Sequence, residues 1–231
     1  MCGRFTLRTA PQQLALQFSC DVPTDLAPTY NAAPTQAVAA LRSKTGSRQF
    51  ARLRWGLIPA WAKDRSIGNR MINARAETVA EKPAFRSAFR ARRCLILADG
   101  YFEWQKVGTT KQPFYVRMHD ETPFAMAGLW EAWNDPQTSE TVESCTIITT
   151  DANQTTRPIH DRMPAIVSNG DGEIWLDPQQ KTPSVLQSLL RPFDSASMVV
   201  YAVDRWVNNP RNNDPRCIAR AADVLEGNGP A

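Results

Sequence analysis

Eight short runs of apolar, β-branched and aromatic residues recur along the chain, none longer than eight residues. They are Gln36 to Leu41, Gln49 to Trp55, Cys94 to Ala98, Pro113 to Met118, Pro123 to Trp130, Cys145 to Thr149, Pro164 to Val167 and Met198 to Val203. Runs this short, separated by turn residues, read as strands rather than long amphipathic helices. Helical signals are fewer. Thr9 is placed to cap a helix over Pro11 to Phe18, Ala80 to Arg90 carries Phe85 and Phe89 at helical spacing, and Ser184 is placed to cap Val185 to Leu190. The pattern predicts an α+β fold with a curved, mostly antiparallel, barrel-like sheet core and a few short helices on its flanks.

A chain of 231 residues, 42% apolar, sustains one substantial core. One domain over residues 1–222 is expected, with a frayed tail at 223–231, where no core pattern is visible. No apolar run approaches the roughly 20 residues of a membrane helix, and the N-terminus lacks a secretory signal, so a cytoplasmic location without membrane association is expected. The five cysteines are odd in number, widely spaced and without a CxxC pair, and the histidines are only His119 and His160. That argues against a disulfide framework and against a structural zinc site. The reading needs neither a metal nor a cofactor.

The net charge of +4 conceals an uneven distribution. Between Arg42 and Arg93, 11 Arg and 3 Lys stand against Asp64, Glu77 and Glu81, a local balance of +11, so the rest of the chain is net acidic. Arg outnumbers Lys 21 to 6 overall, which suits bidentate phosphate contacts. A solvated basic face in an Arg-favouring chain is the plain explanation; a polyanionic partner such as nucleic acid is the sharper one.

Four stretches combine polar functional groups with turn or aromatic neighbours: MCGRF at the start, MINARAET (Met71 to Thr78), ADGYFEW (Ala98 to Trp104) and PIHDRMP (Pro158 to Pro164). Cys2 follows the initiator Met, and its removal would place an α-amine and a thiol on one residue, a pair no internal cysteine has. Glu103 is either an ordinary solvent-facing residue, with Phe102 and Trp104 alternating to the other face, or a carboxyl in an aromatic cleft whose raised pKa would let it shuttle protons. His160 is either an exposed loop residue or a general acid or base, with Arg162 on a phosphate.

Taken together these stretches closely resemble the SRAP family, the SOS response associated peptidases or abasic-site processing proteins. YNAAPTQ (Tyr30 to Gln36), RWGLIPAW (Arg54 to Trp61) and VNNPRNNDPRC (Val207 to Cys217) extend the resemblance from Cys2 to about Ile218. The resemblance implies a protein that senses abasic sites in single-stranded DNA and crosslinks to them through a processed N-terminal cysteine, shielding the lesion. It implies catalytic roles for Cys2, Asn73, Glu103 and His160. It also implies a DNA groove, for which Arg4, Arg75 and Arg162 are candidates on phosphates, Trp61 and Trp104 for base stacking and Pro34 for a wedge at the lesion, with Thr149 grouped among the contacts.

The chemistry answers why the cysteine is terminal. The α-amine condenses with the sugar aldehyde and the thiol closes a five-membered thiazolidine, which only a 1,2-aminothiol can form. Weak lyase activity would accompany it, and Met1 would be removed either by methionine aminopeptidase or by the chain itself. Two competing readings are a cysteine peptidase using Cys2 and His160 and a noncatalytic single-strand-binding module. The expected state is a monomer, nucleoid-associated when on DNA, with replication or repair proteins as further partners.

Overall fold

The computed structural model describes residues 2–44 and 46–221. Met1 and the tail expected to fray at 223–231 lie outside the described residues. In chain order the first half contains β1 (Arg4–Leu7), α1 (Pro11–Phe18), β2 (Thr29–Ala32), β3 (Ala37–Lys44), β4 (Ser47–Trp55), β5 (Asn73–Arg75), α2 (Arg86–Ala91) and β6 (Arg93–Ala98). The second half contains β7 (Gly100–Val107), β8 (Thr110–Met118), β9 (Phe124–Asn134), β10 (Thr141–Asp151), β11 (Arg162–Pro164), β12 (Ile166–Val167), α3 (Asn169–Leu176), α4 (Pro183–Ser188) and β13 (Met198–Ala202). The fold is mixed α and β, with strands dominant and helices few. Among the described residues no helix is long and apolar enough to cross a membrane.

Five strands close on themselves in the order β10, β4, β3, β6, β9 and back to β10. Every pairing in this barrel is antiparallel except β10 with β4, where Ser144 and Cys145 lie beside Arg54 and Trp55. A second, antiparallel sheet runs β13, β8, β7, β1, β2. Alternation along the barrel strands divides side chains between two cores. Ala39, Leu41, Leu95 and Leu97 join a cluster with Leu14, Trp175 and Leu186 of the helices. Val38, Ala40, Leu53 and Ile96 join Phe5, Tyr101 and Val116 of the second sheet. Both strand faces are therefore apolar, which is why the sequence shows runs rather than strict alternation.

Helix boundaries depart from expectation in three places. Thr9 does not cap α1: Ala10 holds the cap position without a side-chain bond, because the Thr9 amide and hydroxyl both donate to Asp99 Oδ2, at 2.8 and 2.9 Å. The segment from Ala80 to Phe85 forms turns and α2 begins only at Arg86; Pro83 cannot donate the amide that a helix starting at Ala80 would need there. Thr182, not Ser184, precedes α4, which starts on Pro183 with its φ already helical. Helix α3, absent from the expectations, is capped by Ser168, whose Oγ accepts from the Asp171 amide at 3.1 Å.

Asp99 holds the corner between β6 and β7 to the start of the chain. Its carboxylate accepts from Thr6 Oγ1 at 2.5 Å and the Arg8 amide at 2.6 Å besides both Thr9 groups. The next residue, Gly100, runs under Tyr115, where a Cβ would overlap the phenol. Asp99 is 1% exposed, so removing it strands the Arg8 and Thr9 amides and the Thr9 hydroxyl. Asp99→Ala is expected to lose about 3 kcal/mol of unfolding free energy in urea titrations, and an unchanged midpoint would contradict this role.

Candidate active site

Strand β10 assembles the site. Its residues Ile147 to Thr149 pair in parallel with Asn73 to Arg75 of β5, and its last three residues pair with β11, which starts two residues after His160. Asn73 thus reaches the start of the chain, where its Nδ2 donates to the Cys2 carbonyl at 2.8 Å. Its Oδ1 is buried and has no hydrogen-bond partner among the described residues. Cys2 is itself fully buried, its Sγ 3.9 Å from the Arg4 carbonyl. Burial pushes the thiol pKa up, and the nearby Glu103 pushes it further. A cysteine peptidase needs the reverse, a thiol made acidic by an imidazolium.

Glu103 lies on β7, which pairs with β1 through Arg4 opposite Phe102 and Phe5 opposite Tyr101. The alternation expected of FEW holds: Phe102 and Trp104 share one cluster with Tyr115 and Val207. The other face is not solvent. Tyr101, two residues before Glu103, packs there with Leu53, Trp55 and Ile147 of the barrel, leaving Glu103 3% exposed. Burial raises its carboxyl pKa from 4.5 to about 7, against a smaller opposing effect of the Trp104 backbone.

His160 ends a turn pinned by its own amide to the Thr156 carbonyl at 3.1 Å. Its Nδ1 accepts from the Arg162 amide at 3.0 Å, which puts the neutral ring's proton on Nε2; Asp161 Oδ1, 2.8 Å from the same nitrogen, becomes the partner when the ring is charged. Partial burial lowers the imidazole pKa, with Arg162 and Lys111 acting in the same direction and Asp161 opposing. Glu103 and His160 face one open pocket of about 440 Å³, lined also by Arg4, Trp104, Lys111 and Asn208. Cys2 is not part of that lining and lies buried beside it.

The remaining candidates divide. Arg4 and Trp104 line the pocket, and Trp104 Nε1 donates to Asn208 Oδ1 at 2.8 Å. Arg75 is exposed at the end of β5, two residues from Asn73. Pro34 is half-buried in a turn where Thr35, at φ 76, is forced into the left-handed region. That turn is tied to the Trp55 backbone, and Trp55 Nε1 donates to the Ile72 carbonyl, next to Asn73. Trp61 is 61% exposed and lies outside the pocket lining. Thr149 is fully buried with its hydroxyl on the Ala74 carbonyl, so the structure makes it a support for β5 and not a surface contact. Arg162 is also committed internally, to Glu77 at 2.7 Å, Asp151 at 2.8 Å and the Thr149 carbonyl at 2.6 Å.

The basic stretch from Arg42 to Arg93 is less of a surface than its charge implies. Arg42 pairs with Glu143, Arg48 with Glu173, Arg52 with Asp25 and Arg92 with Glu131. Arg93 is buried and donates to five backbone carbonyls. Lys111 and Asn208 escaped sequence reasoning, Lys111 because a lysine near a hairpin tip looks like any other. Asn208 stands in the VNNPRNN stretch, whose density of asparagines was the available signal.

A family model described as SOS response associated peptidase (SRAP) matches residues 1–210. The abasic site processing protein YoqW of Bacillus subtilis (strain 168) is 44% identical over 222 residues, covering 94% of this chain and 99% of its own. HMCES of Xenopus tropicalis, likewise named an abasic site processing protein, is 34% identical and covers 88% of this chain and 69% of its own. A crystal structure of a protein from Bacteroides thetaiotaomicron matches with a TM-score of 0.86 and 32% identity, over 95% of this chain and 100% of that one.

The buried carboxyl makes a pH prediction. With a folded pKa near 7 against 4.5 in the unfolded chain, Glu103 holds a proton in the fold that the unfolded chain releases, so its contribution to stability falls as pH rises from 4.5 through 7. A displacement of that size corresponds to about 3 kcal/mol. Glu103→Gln is expected to match the parent at pH 4.5 and exceed it by about that amount at pH 8 in denaturant titrations; a gap independent of pH would contradict the buried, proton-retaining carboxyl.

Proposed function

This chain belongs to the SOS response associated peptidase (SRAP) family, and on that premise we propose that it processes abasic sites in single-stranded DNA by forming a covalent link through Cys2. The observation that carries the reading is the bond from Asn73 Nδ2 to the Cys2 carbonyl beside a carboxyl with a pKa of about 7. Three segments distant in sequence meet there, each bearing a group the chemistry needs.

Removal of Met1, by methionine aminopeptidase or by the chain itself, converts the Cys2 amide nitrogen to an amine and frees the residue to turn towards the pocket. The amine, with an ordinary pKa of about 7.7 to 8.0, attacks the aldehyde of the opened deoxyribose. Glu103, near half-protonated at neutral pH, delivers the proton that lets water leave the carbinolamine, and an imine results. The thiol adds to the imine carbon and its proton passes to the ring nitrogen. Overall, aldehyde and aminothiol give thiazolidine and one water.

Asn73 Oδ1 is the acceptor without a partner, placed to hold the amine or the opened sugar's hydroxyl. His160, with its proton on Nε2, assists ring opening of the sugar. The imine also acidifies the neighbouring sugar carbon, so slow β-elimination of the 3′ phosphate competes until the thiol closes the ring. Arg4 and Lys111 supply positive charge at the pocket, the exposed Arg75 extends it, the Trp104 and Trp61 rings offer stacking surfaces, and the rigid Pro34 turn is the wedge. One pocket serves one lesion, and a monomer suffices.

A single-stranded oligonucleotide with one abasic site, incubated with protein lacking Met1, is expected to give a band that survives denaturation without borohydride. Cys2→Ala abolishes it, Cys2→Ser gives a band only after borohydride, and Glu103→Gln slows the wild-type reaction about 100-fold at pH 7. Equal crosslinking by Cys2→Ala and wild type would reject the proposal.

A further inference from the structure

Arg4 faces the pocket as a cation held only by neutral groups. Its Nη1 donates to Asn31 Oδ1 at 2.9 Å and to the Val207 carbonyl at 3.0 Å, and its Nη2 lies 3.5 Å from the Asn208 carbonyl. Among the described residues no carboxylate forms an ion pair with it, whereas Arg42, Arg92 and Arg162 each have one at 2.6 to 2.7 Å. A guanidinium carries its charge at any physiological pH.

Asn31, on β2, is 1% exposed. Its Nδ2 faces three carbonyl oxygens, Val207 at 3.2 Å, Asn209 at 3.1 Å and Asn212 at 2.8 Å. The amide can stand only this way round: guanidinium groups only donate and carbonyls only accept, so a flipped amide would set like against like at every contact. Aspartate would accept from Arg4 equally well, but would neutralise it and turn an anionic oxygen on three carbonyls. The same amide also fixes the segment carrying Asn208, whose Oδ1 orients the Trp104 indole.

We propose that Asn31 is a positioning residue that aims Arg4 at a DNA phosphate while leaving its charge unneutralised, and that holds the Val207–Asn212 segment as the pocket wall. This rests on the reading of the pocket as a DNA site. Asn31 touches no substrate; it acts through Arg4 and through Asn208 on Trp104.

The test measures binding of an undamaged single-stranded oligonucleotide by fluorescence anisotropy as a function of salt, which separates binding from crosslinking. One phosphate contact contributes about 0.7 to the slope of log affinity against log salt on single strands. Asn31→Asp and Arg4→Ala should each make the slope shallower by about that amount relative to wild type, and the double variant should add nothing to Arg4→Ala. In crosslinking to abasic DNA, Asn31→Asp should raise the half-saturating DNA concentration severalfold and leave the maximal rate within twofold.

A folded Asn31→Asp protein with the wild-type slope overturns the proposal, as does a lowered maximal rate with an unchanged slope, which would mark a merely structural residue. Should Asn31→Asp not fold, Arg4→Ala decides, since it leaves the Asn31 bonds to the segment in place; a wild-type slope there overturns the proposal as well. Wild-type protein that does not bind the oligonucleotide at all would instead refute the DNA reading beneath it.

Discussion

Strand β10 pairs with four neighbours along its 11 residues: β9 over its first seven and then β11 over its last three on one edge, β4 at Ser144 and Cys145 and then β5 at Ile147 to Thr149 on the other. On each edge one neighbour ends before the next begins, so the strand that closes the barrel also sets the register of Asn73 and the start of β11 after His160. Strand order in the second sheet does the same for Cys2 and Glu103, through β1 and β7. The site exists where the two sheets face each other, and a one-residue slip in either would turn its functional side chain to the wrong side.

Burial then chooses the chemistry. A carboxyl on the outer face of a lone sheet would be an ordinary anion. Glu103 is instead enclosed between two sheets, and the desolvation that raises its pKa to about 7 makes it serviceable as both acid and base near neutrality. The same enclosure makes the Cys2 thiol less acidic, which fits a residue that reacts through an amine first and a thiol second better than one that starts as a thiolate. Charge is handled by selection: many arginines of the basic stretch are tied to carboxylates or buried on carbonyls, while Arg4, held by the Asn31 amide and backbone carbonyls and paired with no carboxylate among the described residues, lines the pocket. What matters for an anion is how each guanidinium is partnered, not how many the stretch contains.

Much of this architecture is legible in the chain. Seven of the eight apolar runs each became one strand, with ends displaced by up to four residues, and Pro164 to Val167 fell across the end of β11 and β12; a strand with two buried faces is marked by composition alone. β1, β2, β5 and β7 lie outside those runs. β5 is three residues, Asn-Ala-Arg, and is extended because β10 offers it a partner, so no local pattern announces it. For Glu103, alternation separated it correctly from Phe102 and Trp104, but a period of two cannot say whether the opposite face meets water or another sheet. Asn31 looks like a turn residue before a proline, and only the return of the chain at Val207 to Asn212 gives its amide a purpose. The arginine cluster misled for a related reason: Arg93 and Arg75 are indistinguishable in sequence, yet one is buried on five carbonyls and the other exposed.

The central claim is that the first cysteine, through its nitrogen and its sulfur together, is the atom pair that captures the lesion. Tandem mass spectrometry of nuclease- and protease-trimmed adduct, prepared without reductant, tests it most directly. The account predicts a peptide beginning at Cys2, carrying the sugar remnant on that residue with the loss of one water and resistant to thiol alkylation. A remnant on Lys111 or any other amine, or a Cys2 peptide whose thiol still alkylates, would contradict it.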